Sequence, residues 1–393
     1  MGASDRVAAG VLVIGVLAAG CGNVDARSAG PPKNAAKAPG VRGADRFTVV
    51  GTGDFLLHSV LIQQAASDAR HRGYDFMPML ARLRPVISQA DLAVCHIETP
   101  LGSRSGPFSG YPVFNSPPQI VKAIRRLGYD TCSTASNHAI DQGARGVRRT
   151  LDALDRAGIG HAGTARSARE AEKIDMRDVK GVKVAHLSYT YGTNGIPTPA
   201  GKPWLVNDTL KPSRILAAAA RAKRAGAEVV VVSLHWGEEY QHAPTAEQRR
   251  LARRLLNSRD VDLILGDHVH VVQPFERFNG KWVAYGMGNQ VANPSANTES
   301  THEGLVARFT FSRDARGRWR AQPSFVPTFV RPGPPIRLRT LTTDSSQRRV
   351  VERTKRVVRS LGYDVPLAPD PMDGPPSAQR NGAPPRVTSL SKR

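Results

Sequence analysis

The chain is poor in acidic residues, cysteine and aromatics, and it has no apolar run of comfortable membrane-spanning length. Aspartate and glutamate number 33 against 55 lysines and arginines, a formal net charge of +22. Such an excess points to attraction toward an anionic polymer or an anionic membrane surface, or to arginine-rich solvated helix faces. The basic clusters are "RRLARR" (249–254) and "RRVVERTKRVVRS" (348–360). Aromatic residues make up 6% of the chain, and none interleaves with these clusters as an RNA-binding platform requires, so nucleic acid is not the expected partner. Cysteine occurs three times, at Cys21, Cys95 and Cys132. Cys95 and Cys132 lie in apolar, strand-like runs and are read as buried free thiols, with a disulfide as the alternative in an oxidising compartment. The most apolar run, "VAAGVLVIGVLAAG" (7–20), is short for a spanning helix and ends in small residues before Cys21. No internal repeat is present.

What remains has an α/β rhythm, with 40% apolar residues, enough for a sizeable core. Short apolar runs at 47–53, 90–99, 128–136, 182–190, 228–236 and 261–270 read as strands separated by helical stretches. Pro244 followed by Thr245-x-x-Gln248 marks a helix start with a capping box. Asn279-Gly280 between two apolar runs is a hairpin signal, and residues 302–330 alternate as antiparallel strands closing a sheet edge. A last helix is expected at about 344–360. Residues 1–21 are set apart as a lipoprotein signal peptide and 22–45 as a flexible linker. Residues 46–295 form the main domain, 296–363 a β/α extension completing it, and 364–393 a Pro-rich disordered tail.

The chemistry is concentrated where strands end. In "GDHVHVVQP" (266–274), His268 and His270 are two residues apart, so an extended chain would aim both imidazoles into one space. An isolated pair of this kind is more often two surface histidines, so the company it keeps decides. Asp54 and His58 follow the first strand, Glu98 the second, Asn137, His138 and Asp141 the third, and His235 ends the fifth. Each has an ordinary alternative: Asp54 as a helix cap, Glu98 as a solvated turn residue, Asn137 in a left-handed turn, His235 as a core histidine. Five separate strand ends all carrying such residues argue against those alternatives jointly. Active sites of open α/β sheets form outside the carboxyl ends of the strands. Asp, Glu, Asn and His without thiolates suit borderline or hard divalent ions such as Mn, Fe, Zn or Ca. More ligands are present than one tetrahedral ion needs, so two cations sharing a carboxylate is the economical reading. Tyr189, Tyr191 and Asn194, after the fourth strand, are candidates to shape a substrate cleft, with an ordinary polar turn around Gly192 and Gly195 as the alternative.

The order Asp54, Glu98, Asn137-His138, His235, His268-x-His270 resembles the calcineurin-like metallophosphoesterases. More closely, "GDFLLH", "ADLAVCHIETPL", "SNHAIDQG", "SYTYGTNGIP", "HWGEEY", "GDHVHVVQP" and "YGMGNQV" resemble the CapA family, named for poly-γ-glutamate capsule synthesis. The resemblance covers about residues 46–293. It implies a four-layer α/β/β/α sandwich with two mixed β-sheets flanked by helices, and two divalent metal ions. Asp54, Glu98 and His270 would hold one ion, and Glu98, Asn137, His235 and His268 the other. His138, oriented by Asp141 or a backbone carbonyl, would meet the phosphoryl oxygens or the leaving group. The chain departs from the wider pattern twice. The first motif is D-x-x-x-H rather than D-x-H, which leaves His58 a looser ligand candidate, and the bridging residue is Glu rather than Asp. Residues 17–21 resemble a lipobox with Cys21 as the lipidated residue, implying an exported protein on the outer face of the cytoplasmic membrane. An uncleaved anchor and an ordinary signal peptide are the alternatives. The implied function is metal-dependent phosphoester hydrolysis in envelope-polymer biosynthesis, with other capsule-synthesis proteins as further implied partners; the rival is a tethered, non-catalytic binder of an anionic envelope polymer.

Overall fold

The computed structural model describes residues 44–70, 72–293, 298–341 and 347–369. The signal segment, Cys21 and most of the linker and tail lie outside them. Among the described residues no helix is long and apolar enough to cross a membrane.

Among the described residues fourteen strands alternate with helices: β1 Arg46–Phe55, β2 Leu92–Ile97, β3 Thr131–Ser133, β4 Gly160–Ala162, β5 Asp175–Val179, β6 Val182–Thr190 and β7 Val229–His235, then β8 Leu263–Asp267, β9 Phe275–Phe278, β10 Lys281–Ala284, β11 Asn289–Val291, β12 Glu303–Arg313, β13 Trp319–Arg331 and β14 Arg337–Thr340. They form an eight-stranded sheet ordered β14-β13-β12-β1-β2-β3-β4, with β11 also against β1, and a six-stranded sheet ordered β5-β6-β7-β8-β10-β9. Parallel pairing runs through β1–β4 in one sheet and through β6–β8 and β10 in the other. Strands β12–β14 join β1 antiparallel, so the C-terminal segment closes the first sheet at its edge.

Three apolar layers set the architecture, and strand parity builds them. Val229 and Val231 of β7, Leu263 and Leu265 of β8, and Leu92 and Val94 of β2 meet between the two sheets. The alternate residues Val230, Val232 and Leu234 pack outward, against Ile215, Ala219, Leu251 and Leu255 of the helices Pro212–Arg224 and Ala246–Leu256. On the far side Ala93 and Cys95 of β2 pack with Leu61, Ile124, Leu151 and Leu154, from the helices Ser59–Asp68, Ile120–Leu127 and Gly143–Arg156. The result is helices, sheet, sheet, helices, the four-layer sandwich. Period-two alternation in runs that are apolar throughout is what two-sided burial of parallel strands demands.

Local signals behave as their chemistry requires. Thr245 caps its helix through Gln248 N–H (3.1 Å) while Gln248 Oε1 accepts Thr245 N–H (2.8 Å). Asn279 and Gly280 both have positive φ, 51° and 77°, as a type I′ turn between β9 and β10 needs. The last helix is Arg348–Val358. The basic clusters are partly structural: Arg249 pairs with the buried Glu276 at 2.6 Å and Arg353 with the buried Glu303, whereas Arg250, Arg253 and Arg254 are exposed.

Two expectations are corrected here. Strand β8 ends at Asp267, and His268 and His270 sit in a turn with φ of 94° and 58°. Left-handed backbone at two non-glycine residues costs free energy and is retained where the surroundings fix it. Cys95 and Cys132 are not free thiols: they are register partners on β2 and β3, with Cα atoms 4.4 Å apart, and are joined as a disulfide. A separation of 37 residues says nothing about pairing until the two parallel strands are known to be adjacent. Closing a loop of that length is expected to contribute about 4 kcal/mol, mainly by restricting the unfolded chain. Urea unfolding with and without reductant should therefore differ by that amount; identical midpoints with the bond demonstrably reduced would contradict this.

Candidate metal centre

Strand parity also aims the polar side chains. Along β2 the residues facing the second sheet are Leu92, Val94 and then His96, with Glu98 next in the series; along β7 they are Val229, Val231, Ser233 and His235. Along β8 they are Leu263, Leu265 and Asp267. The inter-sheet layer is thus apolar at one end and polar at the end where the parallel strands stop. Asp54 would face the other way on a regular strand. Gly51 pairs with Val94 but Asp54 pairs with His96, so an irregularity adds one residue to β1 over this interval. That bulge turns Asp54 inward, a re-aiming typical of bulges beside functional sites. Glycine makes the close approach feasible: a Cβ on Gly53 would lie 1.8 Å from Gly288 O, and one on Gly266 1.9 Å from Tyr285 O.

The sequence candidates meet around Glu98. His270 Nδ1 donates to Asp54 Oδ2 (3.1 Å) and Asn289 Oδ1 (3.0 Å), and His270 Nε2 lies 4.0 Å from Glu98 Oε1. Asp54 Oδ1 accepts the His268 backbone N–H at 3.2 Å. His235 Nε2 lies 2.9 Å from Asn137 Oδ1 and 4.0 Å from Glu98 Oε1. The His235 and His268 rings are 4.6 Å apart. Asp54, Glu98, Asn137, His235, His268 and His270 are all buried.

Both Glu98 carboxylate oxygens, His235 Nδ1 and His268 Nδ1 are buried without a hydrogen-bond partner among the described residues. Buried polar atoms are normally paired, and an orphaned carboxylate among lone-pair nitrogens is the pattern that a cation satisfies. Among the described residues, three sets of side chains have ligand atoms within 4.8 Å of one another: Asp54, Glu98 and His270; Asp54, His96 and His235; and Glu239, His268 and His270. The donor set therefore fits divalent cations.

Electrostatics agree. Burial, reinforced by the charge of Asp54, holds the Glu98 carboxyl well above the usual range. Burial keeps His235 and His268 neutral, with His268 lowered to about 3 and the neighbouring imidazoles adding to the effect in both. For His270 burial acts downward, but the charge of Glu98 and the bond to Asp54 outweigh it and raise the ring to about 10. Asp54 likewise resists burial through His270 and titrates below its ordinary value. Without a cation, the raised His270 ring is the group that supplies positive charge beside Asp54.

His138 and Asp141 stand beside this group. His138 Nδ1 donates to Asp141 Oδ2 at 2.8 Å, and the same oxygen accepts Phe114 N–H at 2.8 Å. His138 Nε2 is left facing Asn194, whose Nδ2 lies at 3.4 Å. Tyr191 overlies His268 with ring centroids 4.6 Å apart, and its hydroxyl reaches Asn194 Oδ1 at 3.4 Å. A groove of about 1240 Å³ is lined by Tyr191, His268, Glu238, Glu239, Tyr240, Arg250 and Arg254 among others.

Two candidates lie elsewhere. Tyr189 still lies within β6 and packs in the outer core with Leu187, Ile215 and Ala219, whereas Tyr191 lies past the end of that strand. Among the described residues His58 joins no ligand cluster: its Nδ1 lies 3.1 Å from Asn293 N and 3.2 Å from Leu56 O, and its ring meets Phe114 edge-on at 5.4 Å. Sequence reasoning missed His96, Asp267 and Glu239. His96 was accessible, because it stands two residues before Glu98 and shares its face by the rule that drew attention to His268 and His270.

Known proteins carry the same sequence pattern. Residues 48–294 match the family model described as "Bacterial capsule synthesis protein PGA_cap". The "PGA biosynthesis protein CapA" of Bacillus subtilis (strain 168) is 29% identical over 209 residues, 52% of each chain. The "Capsule biosynthesis protein CapA" of Bacillus anthracis is 32% identical over 178 residues, 44% of this chain and 42% of that one. This chain thus spans about half the length of these curated relatives. Among solved structures, the calcineurin-like phosphoesterase YfkN from Bacillus subtilis aligns over 79% of this chain and 97% of that one, with 16% identity and a TM-score of 0.44. With the family model matching well over half of the sequence, the chain belongs to the bacterial capsule synthesis protein family PGA_cap.

Proposed function

We propose that this chain is an exported, Cys21-anchored protein of capsule or cell-envelope polymer biosynthesis, of the poly-γ-glutamate type, with a dinuclear metal centre that acts on phosphoesters. The observation that carries the reading is the buried Glu98 carboxylate, unpartnered at both oxygens and ringed by Asp54, His235 and His270. The names of the two CapA relatives support the polymer, and the net charge of +22 suits an anionic partner.

Asp54, Glu98 and His270 would hold one cation, and Glu98, Asn137, His235 and His268 the other. Bound there, the cations supply Lewis acidity toward a phosphoryl group and lower the pKa of water. The protein's own contribution is positioning. Asp141 fixes the His138 ring so that Nε2 faces the cleft, where a protonated imidazole gives its proton to the departing oxygen. Asn194 and Tyr191 border the same space and orient the ligand.

The test is hydrolysis of bis(p-nitrophenyl) phosphate by the full chain loaded with Mn, Fe, Zn or Ca, beside chelated protein. Metal-dependent release of p-nitrophenol is expected. Absence of turnover with every ion, together with retained metal and binding of poly-γ-glutamate, would favour the non-catalytic binder instead.

A further inference from the structure

His96 is a buried imidazole beside the six proposed ligands. Asp54, His96 and Ser133 are register partners across β1, β2 and β3, and His235 and Asp267 are register partners across β7 and β8. The two rows face each other between the sheets. His96 stacks on His235 with centroids 4.9 Å apart. Its Nδ1 lies 2.5 Å from Ser133 Oγ and 3.7 Å from Asp267 Oδ2. Its Nε2 lies 3.7 Å from Asp54 Oδ1 and has no hydrogen-bond partner among the described residues, although the residue is 1% exposed. A satisfied core histidine uses both nitrogens. A metal-binding histidine has one nitrogen held by a neighbouring oxygen and the other directed at the ion. His96 has the second pattern, and its ligand atoms fall in one cluster with those of Asp54 and His235. His58 differs in the second respect: its Nδ1 lies 3.2 Å from Leu56 O and 3.1 Å from Asn293 N, but among the described residues it falls in none of the three clusters.

We propose that His96, through Nε2, is a ligand of the cation held by Asp54, in the place that the D-x-x-x-H spacing suggests for His58. The inference rests on the metal-centre reading above. Ser133 and Asp267 then act as the groups that orient the ring and increase its basicity, as oxygen partners of ligating histidines do.

The experiment measures Co²⁺ affinity and stoichiometry of the full chain by chelator competition and elemental analysis, for wild type, His96→Ala, His96→Gln, His58→Ala and Glu98→Ala. Loss of His96 should weaken Co²⁺ binding by at least about tenfold, since even the partners of ligands commonly cost that much, while His58→Ala stays near wild type. Proton NMR of the Co²⁺-loaded wild type should show a far-shifted exchangeable imidazole signal that His96→Gln removes. The glutamine variant and this spectrum carry the result if alanine disturbs folding. Unchanged affinity and an unchanged spectrum in the His96 variants, with binding lost in Glu98→Ala, would overturn this inference alone. Wild type that takes up no Co²⁺ would overturn the metal-centre reading itself.

Discussion

Glu98→Gln is expected to have opposite consequences in the metal-free and the metal-loaded protein. In the metal-free state the carboxyl is buried with both oxygens unpartnered, and burial followed by the charge of Asp54 raises its pKa well above 4.5. The folded form therefore keeps a proton that the unfolded chain releases, so stability is lost as pH rises past 4.5 through the folded value. Glutamine removes that loss, and at pH 7 in chelator the variant should melt at or above the wild-type temperature. With cation present the sign reverses. Ligand at a hundred times its dissociation constant stabilises the wild type by about 2.7 kcal/mol, and a neutral amide at the shared position forfeits most of this. Thermal unfolding with chelator and with Mn²⁺ or Zn²⁺ checks both halves. A glutamine variant that keeps the full metal-induced shift would remove Glu98 from the centre.

His138→Ala should reduce phosphodiester turnover by roughly 10²- to 10⁴-fold, the usual contribution of a positioned general acid, with metal content unchanged. The separation follows from geometry: His138 is bonded to Asp141 and faces Asn194, and it belongs to none of the three ligand clusters. An acid is needed most where the departing oxygen is strongly basic. The loss should therefore be greater for an alkyl phosphodiester than for a nitrophenyl one, whose leaving group departs with less help. Asp141→Ala should approach the same loss, and the double variant should be little worse than either, because residues that act as a unit are not additive. Rates measured for both substrate types, with metal content determined on the same samples, decide the matter. Equal losses for good and poor leaving groups would indicate that His138 positions the ligand and donates no proton.

The outline of this centre was legible from residue types at strand ends, because parallel strands must deliver their last residues to one edge whatever the details of packing. Strand interiors were also legible, since two-sided burial leaves apolar runs with clear limits. What escaped depended on tertiary detail. The bulge that turns Asp54 inward is hinted at by Gly51 and Gly53 but has no sequence rule fixing its register. Tyr189 and Tyr191 differ by two positions, yet one ends inside β6 against helices and the other in the turn beyond it. The short strands β4, β5, β11 and β14 carry too few residues to show a period. His58 was attractive by proximity to Asp54, but a backbone N–H more than two hundred positions away occupies its nitrogen. The disulfide was hidden for the same reason, since only the pairing of β2 with β3 brings the two sulfurs together.

Anomalous diffraction from crystals grown with Mn²⁺ or Zn²⁺ tests the central claim most directly. Two peaks flanking the Glu98 carboxylate are expected, one within bonding distance of Asp54 and His270 and one within reach of Asn137, His235 and His268. A map with no anomalous peak at Glu98, from protein that elemental analysis finds equally devoid of metal, would contradict the account.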